Sequence, residues 1–447
     1  MLFAVAVNRR AFLKAGASTA AILFSHPAWC AQKATAKPSD DEILAQTKAR
    51  IAQHRMGDGT ITLRNAKGKA IHGAKVQVEQ LRHDFLFGSH FFMFGRCGKP
   101  ELEEQYRQRV ASLLNYCTLG FYWASYEHER GKPNYEYTDQ VAAWTREHGM
   151  TCKGHPLVWD HVASSPDWLP DDPKEIERLS TTRVREIVSR FKGRIDIWDV
   201  VNEATHLADK TNKSKIADWA ATLGAVPYVA EHLKVARAAN PQATLLVNDY
   251  RIGPDYYKIL DSLRAKGKPL FDAVGIQSHM HSGVWPLQKV WDTCDTYSKL
   301  GLPIHFTEST IVSSPRKGPG ENWGETTAEG EALQAELTVN FYKALFAHPA
   351  VHAITWWDFS DLGAWQGAAA GWLRRDMTPK PVYERLLSLI KGEWWTKAEA
   401  ATNARGEVKA RAFYGTHRIT AQLPDGQPIT KEVHWERGKK NHFELAT

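Results

Sequence analysis

Between residue 85 and about residue 390 the chain alternates short apolar runs with longer stretches of helical periodicity, and it does so eight times. The runs are FLFGS (85–89), CTLGFYW (117–123), TCKGHPLVW (151–159), IDIWDVVNE (195–203), TLLVNDY (244–250), AVGIQSHMH (273–281), PIHFTES (303–309) and AITWWDF (353–359). Each has the length of a strand, and polar, acidic, histidine or aromatic residues gather at its C-terminal end. Eight strand–helix units with that polarity predict an α/β fold, a (β/α)₈ TIM barrel over 85–392, with its site on the face made by the strand C-termini. An open doubly wound sheet is the competing arrangement, but no glycine-rich fingerprint follows the first run. The flanks read differently. Residues 60–84 alternate apolar and polar positions around Lys-Gly and His-Gly turns, which predicts a β hairpin. Residues 393–447 return to alternation around Asp425-Gly426 and read as a small β module, a candidate to share a sheet with the hairpin.

Composition narrows the class. With 447 residues, 43% hydrophobic and 24% charged, the chain is neither disordered nor fibrous, and it is long enough for one large domain plus a small one. No run of 18 apolar residues occurs, so no mature membrane span is expected. Of the net charge of +7, Arg9, Arg10 and Lys14 supply three in a segment without acids, and no basic run remains, so nucleic acid is not an expected partner. Residues 8–14, NRRAFLK, followed by a weakly apolar run, resemble a twin-arginine export signal over about 1–31, with cleavage after Cys30, Ala31 or Ala36. Periplasmic or secreted location follows, with no membrane association once the leader is gone. Trp29 before Cys30 argues against lipidation. Cys97, Cys117, Cys152 and Cys294 lack any metal-ligand spacing and are expected to be buried thiols.

Two acidic residues close apolar runs, Glu203 in WDVVNEA and Glu308 in IHFTEST, on the fourth and seventh predicted strands. A rim salt bridge would account for either alone. Together they match what glycoside hydrolysis needs, two carboxyl groups flanking one bond, about 5–5.5 Å apart in enzymes that retain anomeric configuration. Seventeen tryptophans add flat apolar platforms suited to sugar rings.

GHPLVW, WDVVNEA, VNDY, QSHMH, HFTE and the Trp-rich eighth strand, in this order along the chain, resemble glycoside hydrolase family 10, the retaining endo-1,4-β-xylanases. The resemblance implies that Glu203 is the general acid/base and Glu308 the nucleophile, and that Asn202 reaches the 2-hydroxyl of the sugar being cleaved. It implies further that His279 holds the nucleophile, that His155 and Gln277 bind sugar hydroxyls, that Trp159, Trp357 and Trp365 wall the site, with Trp168 extending it, and that Tyr250 sits near the leaving sugar. Trp356, opposite Trp357 on its strand, is expected in the core. His281 receives no role, and His155 and His279, on separate strands and without HExxH, are not read as a zinc site. The second strand departs from the family, which carries a Glu-Asn pair and a Lys before a Trp. Here Thr118-Leu119-Gly120-Phe121-Tyr122-Trp123 leaves Tyr122 as the expected sugar contact. Asp160 stands where a His is common, and Ser309-Thr310 where Leu-Asp is usual. The expectation is a monomeric hydrolase of xylan or a related hemicellulose, acting on polysaccharide or oligosaccharide, with no cofactor and no metal. The competing readings are a hydrolase of another β-linked polysaccharide and a non-catalytic carbohydrate-binding protein.

Overall fold

The computed structural model of the chain describes residues 37–208, 212–314, 323–423 and 426–446. The expected leader, with Cys30, lies outside the described residues. The unit beginning at Pro38 is built on eight parallel strands: Leu86–His90, Tyr116–Gly120, Thr151–His155, Ile197–Asn202, Thr244–Asp249, Ala273–His279, Ile304–Thr310 and Val351–Trp356. Each pairs with its sequence neighbour, and the eighth pairs with the first, Ala353 opposite Leu86, closing the barrel. Long helices follow the strands. Four of them, starting at Pro100, Pro173, Pro254 and Pro381, open on proline, whose missing N–H costs nothing in a first turn and whose φ already suits a helix.

The ends of the strands differ from expectation in two places that matter for the site. The run 151–159 is not one strand: Pro156 interrupts it, and a second piece, Val158–Trp159, resumes beside the fourth strand with Trp159 opposite Asn202. The second strand stops at Gly120 rather than reaching Trp123, because Tyr122 leads into the short helical turn Trp123–Tyr126. Inside the barrel, alternation directs Lys153, His155 and Asp199 to one side of their strands. Gly154, between the first two, faces the other way onto the Trp198 ring, which lies where any Cβ would stand (2.0 Å from the nearest ring carbon). All four described cysteines are buried thiols.

The predicted hairpin over 60–84 does not form. Its two strands, Met56–Arg64 and Lys75–His83, do not pair with each other. The first is flanked by Glu407–Phe413 and Asn441–Ala446, the second by Lys397–Ala401 and Gly415–Gln422, with Pro428–Trp435 beyond. An isolated two-stranded ribbon buries too little to be stable. Splitting the pair between a three-stranded and a four-stranded sheet buries Ile61, Leu63, Val76, Val78, Ile419 and Trp435 in one shared core instead.

A helix absent from the sequence reading, Asp40–Arg55, precedes these strands. Ser39 and Glu42 form a reciprocal capping box at its start, and Ile43, Thr47, Ile51 and Arg55, four apart, make its buried stripe. At its last turn the Arg55 guanidinium donates to the carbonyls of Phe346, His348 and Val351, satisfying the end of the helix Ala328–Ala347.

Candidate active site

The fourth strand ends at Asn202, and the chain turns sharply at Glu203, a non-glycine residue held at φ +59. The left-handed conformation is costly for a residue with a Cβ, and the surroundings hold it in place: Glu203 N donates to Asn248 O at 2.7 Å, and a 3₁₀ turn, Ala204–Ala208, follows at once. Glu203 as a whole is 8% exposed. Its Oε1 accepts from Gln277 Nε2 and its Oε2 from Trp159 Nε1, both at 3.1 Å. His206 Nδ1 lies 3.4 Å from Oε2. Burial first, and the charge of Glu308 second, push the Glu203 carboxyl up to about 8, so it keeps its proton at neutral pH.

Glu308 lies within the seventh strand and is 4% exposed. Its Oε1 accepts from Asn248 Nδ2 at 2.7 Å and faces His155 Nε2 at 3.8 Å, while Oε2 is 2.9 Å from His279 Nε2. Burial pushes this carboxyl up as well, but His155, His279 and Lys153 outweigh it and hold it below the usual glutamate value. A buried trio lies beneath the site. His155 Nδ1 is 2.8 Å and Lys153 Nζ 2.6 Å from Asp199 Oδ2, all three side chains being buried.

A chain of amides connects the two carboxyl groups. Asn248 Nδ2 donates both to Glu308 and, at 2.8 Å, to Asn202 Oδ1, which also accepts from Gln277 Nε2 at 3.1 Å. Gln277 in turn donates to Glu203. Both acceptor sites on the Asn202 oxygen are therefore used, which turns its NH₂ group away from them.

Aromatic rings surround this core. Trp357 stands edge-on to His90, His155 and His279 at 5.0–5.8 Å between centroids. Trp356 points the other way, into the core against Trp372. Trp365, 44% exposed, lies 4.6 Å from His279 and 5.1 Å from His281. Tyr122 sits between Phe92 (6.0 Å), His155 (5.6 Å) and Trp159 (5.9 Å). Tyr250, 44% exposed, bonds through its hydroxyl to His206 Nε2 at 2.8 Å. Trp168 packs against Trp123 and donates to Glu127 O, apart from these contacts. Hydrogen bonds and ring contacts thus join Asn202, Glu203, Glu308, His155, Trp159, Tyr250, Gln277, His279, Trp357, Trp365 and Tyr122 into one cluster.

Several of its members were not legible as such. Asn248 reads as a turn residue in VNDY, Lys153 and Asp199 as ordinary polar positions in their strands, and Phe92 and His206 as loop residues. Inward alternation with His155 was the available signal for Lys153. Trp159 and Gln277, expected as sugar contacts, spend donors on Glu203. Among the described residues no three His, Cys, Asp or Glu side chains are grouped to hold a metal ion.

Residues 86–389 match the model of glycosyl hydrolase family 10. The sequence is 28% identical over 305 residues to endo-1,4-beta-xylanase B of Thermotoga neapolitana, covering 64% of this chain and 84% of that protein. It is 26% identical over 404 residues to the anti-sigma-I factor RsgI6 of Acetivibrio thermocellus, covering 88% of this chain but 49% of that relative, so the chain spans about half its length. The structure of native xylanase 10B from Thermotoga maritima superimposes with a TM-score of 0.59 at 25% identity, over 69% of this chain and 96% of that one. The chain belongs to glycosyl hydrolase family 10.

Proposed function

We propose that the protein is a retaining endo-β-1,4-glycanase acting on xylan or a related hemicellulose by double displacement. The observation that carries this reading is a pair of buried glutamates at the C-terminal ends of barrel strands, Glu203 among neutral donors from Gln277 and Trp159 and Glu308 among His155, His279 and Asn248, with Asn248, Asn202 and Gln277 linking the two. Glu308, ionised, attacks the anomeric carbon while Glu203 gives its proton to the departing glycosidic oxygen, leaving a glycosyl ester on Glu308. Glu203, now a carboxylate, takes a proton from water, the water oxygen attacks the anomeric carbon, and the ester bond to Glu308 breaks. The NH₂ group of Asn202 is placed to meet the sugar 2-hydroxyl, and Trp357, Trp365, Trp159 and Tyr122 offer ring faces and edges to the sugars. The similarity to endo-1,4-beta-xylanase B of Thermotoga neapolitana supports xylan as the substrate. The leader motif at 8–14 supports export, and among the described residues no helix is long and apolar enough to cross a membrane.

Reducing-sugar release from xylan, mixed-linkage glucan, mannan and cellulose tests the substrate, and proton NMR of the first product tests the mechanism. Xylan should be preferred, with the β-anomer appearing first. Initial α-anomer would exclude double displacement, and no release from any of the four would leave a binding protein.

A further inference from the structure

Where the first and eighth barrel strands begin, at the opposite end of the barrel from Glu203 and Glu308, a cavity of about 240 Å³ lies between the barrel and the two small β sheets. The last turn of the helix Asp40–Arg55 supplies His54 and Arg55, the barrel supplies Phe85, Phe346 and His352, and the turn after Pro428–Trp435 supplies Arg437. Two guanidinium groups meet here without a carboxylate. Arg55 donates from Nε to Phe346 O and from Nη2 to His348 O and Val351 O, and its Nη1 has no partner among the described residues. Arg437, exposed, reaches Pro349 O alone, at 3.4 Å. The acid that lines the cavity, Asp84, is 3.2 Å from His434 Nε2 and within ion-pair distance of neither arginine. The repulsion shows in both neighbours: burial first and the charge of Arg437 second push Arg55 down to about 9, and burial, then Arg55 and Arg437, push His352 down to about 4.

The rest of the wall is apolar. The rings of Phe85 and Phe346 meet edge-on at 4.9 Å, and the Arg55 guanidinium lies over both, at 4.8 and 5.2 Å. We infer that this cavity binds a small organic carboxylate with a flat apolar body, its oxygens between Arg55 Nη1 and Arg437 and its body against Phe85 and Phe346. A guanidinium donates in a fork that matches a carboxylate, and a buried cation without an opposite charge gains most from one. The Tyr414 hydroxyl and the imidazoles of His54 and His352, which make no side-chain hydrogen bond among the described residues, offer the remaining polar contacts. Size excludes an oligosaccharide, since 240 Å³ falls below the roughly 300–1,000 Å³ of sites for larger ligands. The site is also remote from the proposed chemistry. The six-residue strand Val351–Trp356 begins at the cavity and ends at Trp357, about 20 Å away. Because its walls come from the barrel and from the small sheets, an occupant bridges the two and stabilises the native chain.

The test is isothermal titration calorimetry of the full chain with benzoate, with benzyl alcohol, which keeps the ring and lacks the charge, and with acetate, which keeps the charge and lacks the ring. Benzoate should bind one site per chain with a Kd of about 1 mM or tighter, and the other two at least about tenfold more weakly. Arg437→Gln, at an exposed residue where folding is not at risk, should weaken benzoate about tenfold or more, and Arg437→Lys, which keeps the charge and loses the fork, should recover part of that loss. The rise in Tm at a fixed ligand concentration should follow the same order, benzoate above benzyl alcohol and acetate in the parent and reduced in Arg437→Gln. Absence of benzoate binding up to about 10 mM, equal affinity for benzyl alcohol or for acetate, or benzoate affinity unchanged by Arg437→Gln would each overturn the inference. None of these readouts depends on hydrolysis, so failure here leaves the proposed function standing, and failure of that function leaves this site to be judged on its own.

Discussion

The two halves of the site set the same side chain in opposite electrostatic surroundings. Around Glu203 the donors are neutral, an amide from Gln277 and an indole from Trp159, and they cannot offset burial beside a second carboxylate. Around Glu308 stand two imidazoles with a buried lysine behind them, and burial is outweighed. Residue type and depth are nearly matched, so the difference lies in the charge of the neighbours. On the proposed mechanism, such a barrel mouth draws an acid and a nucleophile from two glutamates by giving them different neighbours.

The most drastic way to break this asymmetry is to remove a carboxyl group. Glu308→Ala should lose roughly four orders of magnitude or more in kcat on xylan with folding retained, since rim carboxyls at strand ends do not support the core. Glu203→Ala should lose about two to four orders on xylan. Azide should restore turnover of an activated substrate by Glu203→Ala, since a small anion needs no base to attack the glycosyl ester. Steady-state kinetics with circular dichroism checks both, and near-normal turnover by the Glu308 variant would exclude it as nucleophile.

The next intervention removes a cation from the nucleophile's side. Lys153→Met leaves Asp199 buried with His155 alone, which should cost about 3–5 kcal/mol in denaturant unfolding. With that positive charge gone the Glu308 carboxylate is less favoured, so the acid limb of kcat/KM should move to higher pH. An unmoved limb would show that Lys153 supports the fold and not the nucleophile.

Stability offers a reading of the acid half without substrate. The folded Glu203 carboxyl titrates near 8 against an ordinary 4.5, so across that window the native state keeps a proton that the unfolded chain has released. Its contribution to stability is present below about 4.5 and falls as pH rises toward 8. Glu203→Gln lacks this dependence. Its melting temperature relative to the parent should rise between pH 5 and pH 8, by roughly a few degrees, and calorimetry showing a constant difference would contradict the raised acid.

The smallest expected effect belongs to the ring that touches both halves. Tyr122 contacts Trp159 on one side and His155 on the other. If, as the family resemblance implies, Tyr122 stands in place of a sugar-binding Lys with the Glu-Asn pair also missing, each sugar hydrogen bond not made should cost about 1 kcal/mol. Linear xylotetraose should be cleaved about tenfold less efficiently than substituted oligosaccharides, and Tyr122→Ala should reduce that preference while leaving both pH limbs in place. Equal kcat/KM on linear and substituted substrates, unchanged by the substitution, would remove Tyr122 from recognition.

The barrel was legible because eight apolar runs each end in chemistry-bearing residues, a pattern set by backbone period alone. The cluster at its mouth was legible where strand-end motifs carry it, as in VNEA and QSHMH. The remainder depended on contacts between distant segments. Asn248 looks like half of a turn until the barrel closes and sets its amide between Asn202 and Glu308. His206 becomes a neighbour of the acid only because Glu203 adopts a left-handed turn that no sequence rule assigns to glutamate. The hairpin over 60–84 failed for the same reason, since its partners lie more than 300 residues along the chain. The helix at 40–55 carries a local signal in Ser39-Asp-Asp-Glu42, whose first and last residues form its capping box.

The central claim is that the two glutamates are driven apart in proton affinity by their neighbours. Carbon-13 NMR of the protein labelled at the glutamate side-chain carboxyl carbons, titrated from pH 3 to pH 10 in the parent, Glu203→Gln and Glu308→Gln, measures this directly. One carboxyl should titrate near 8 and be missing from the Glu203 variant, and another should titrate below 4.5 and be missing from the Glu308 variant. In the Glu308 variant the high value should fall, because the charge of its partner is gone. Two carboxyls titrating together in the ordinary glutamate range, or the high value vanishing with Glu308, would contradict the account.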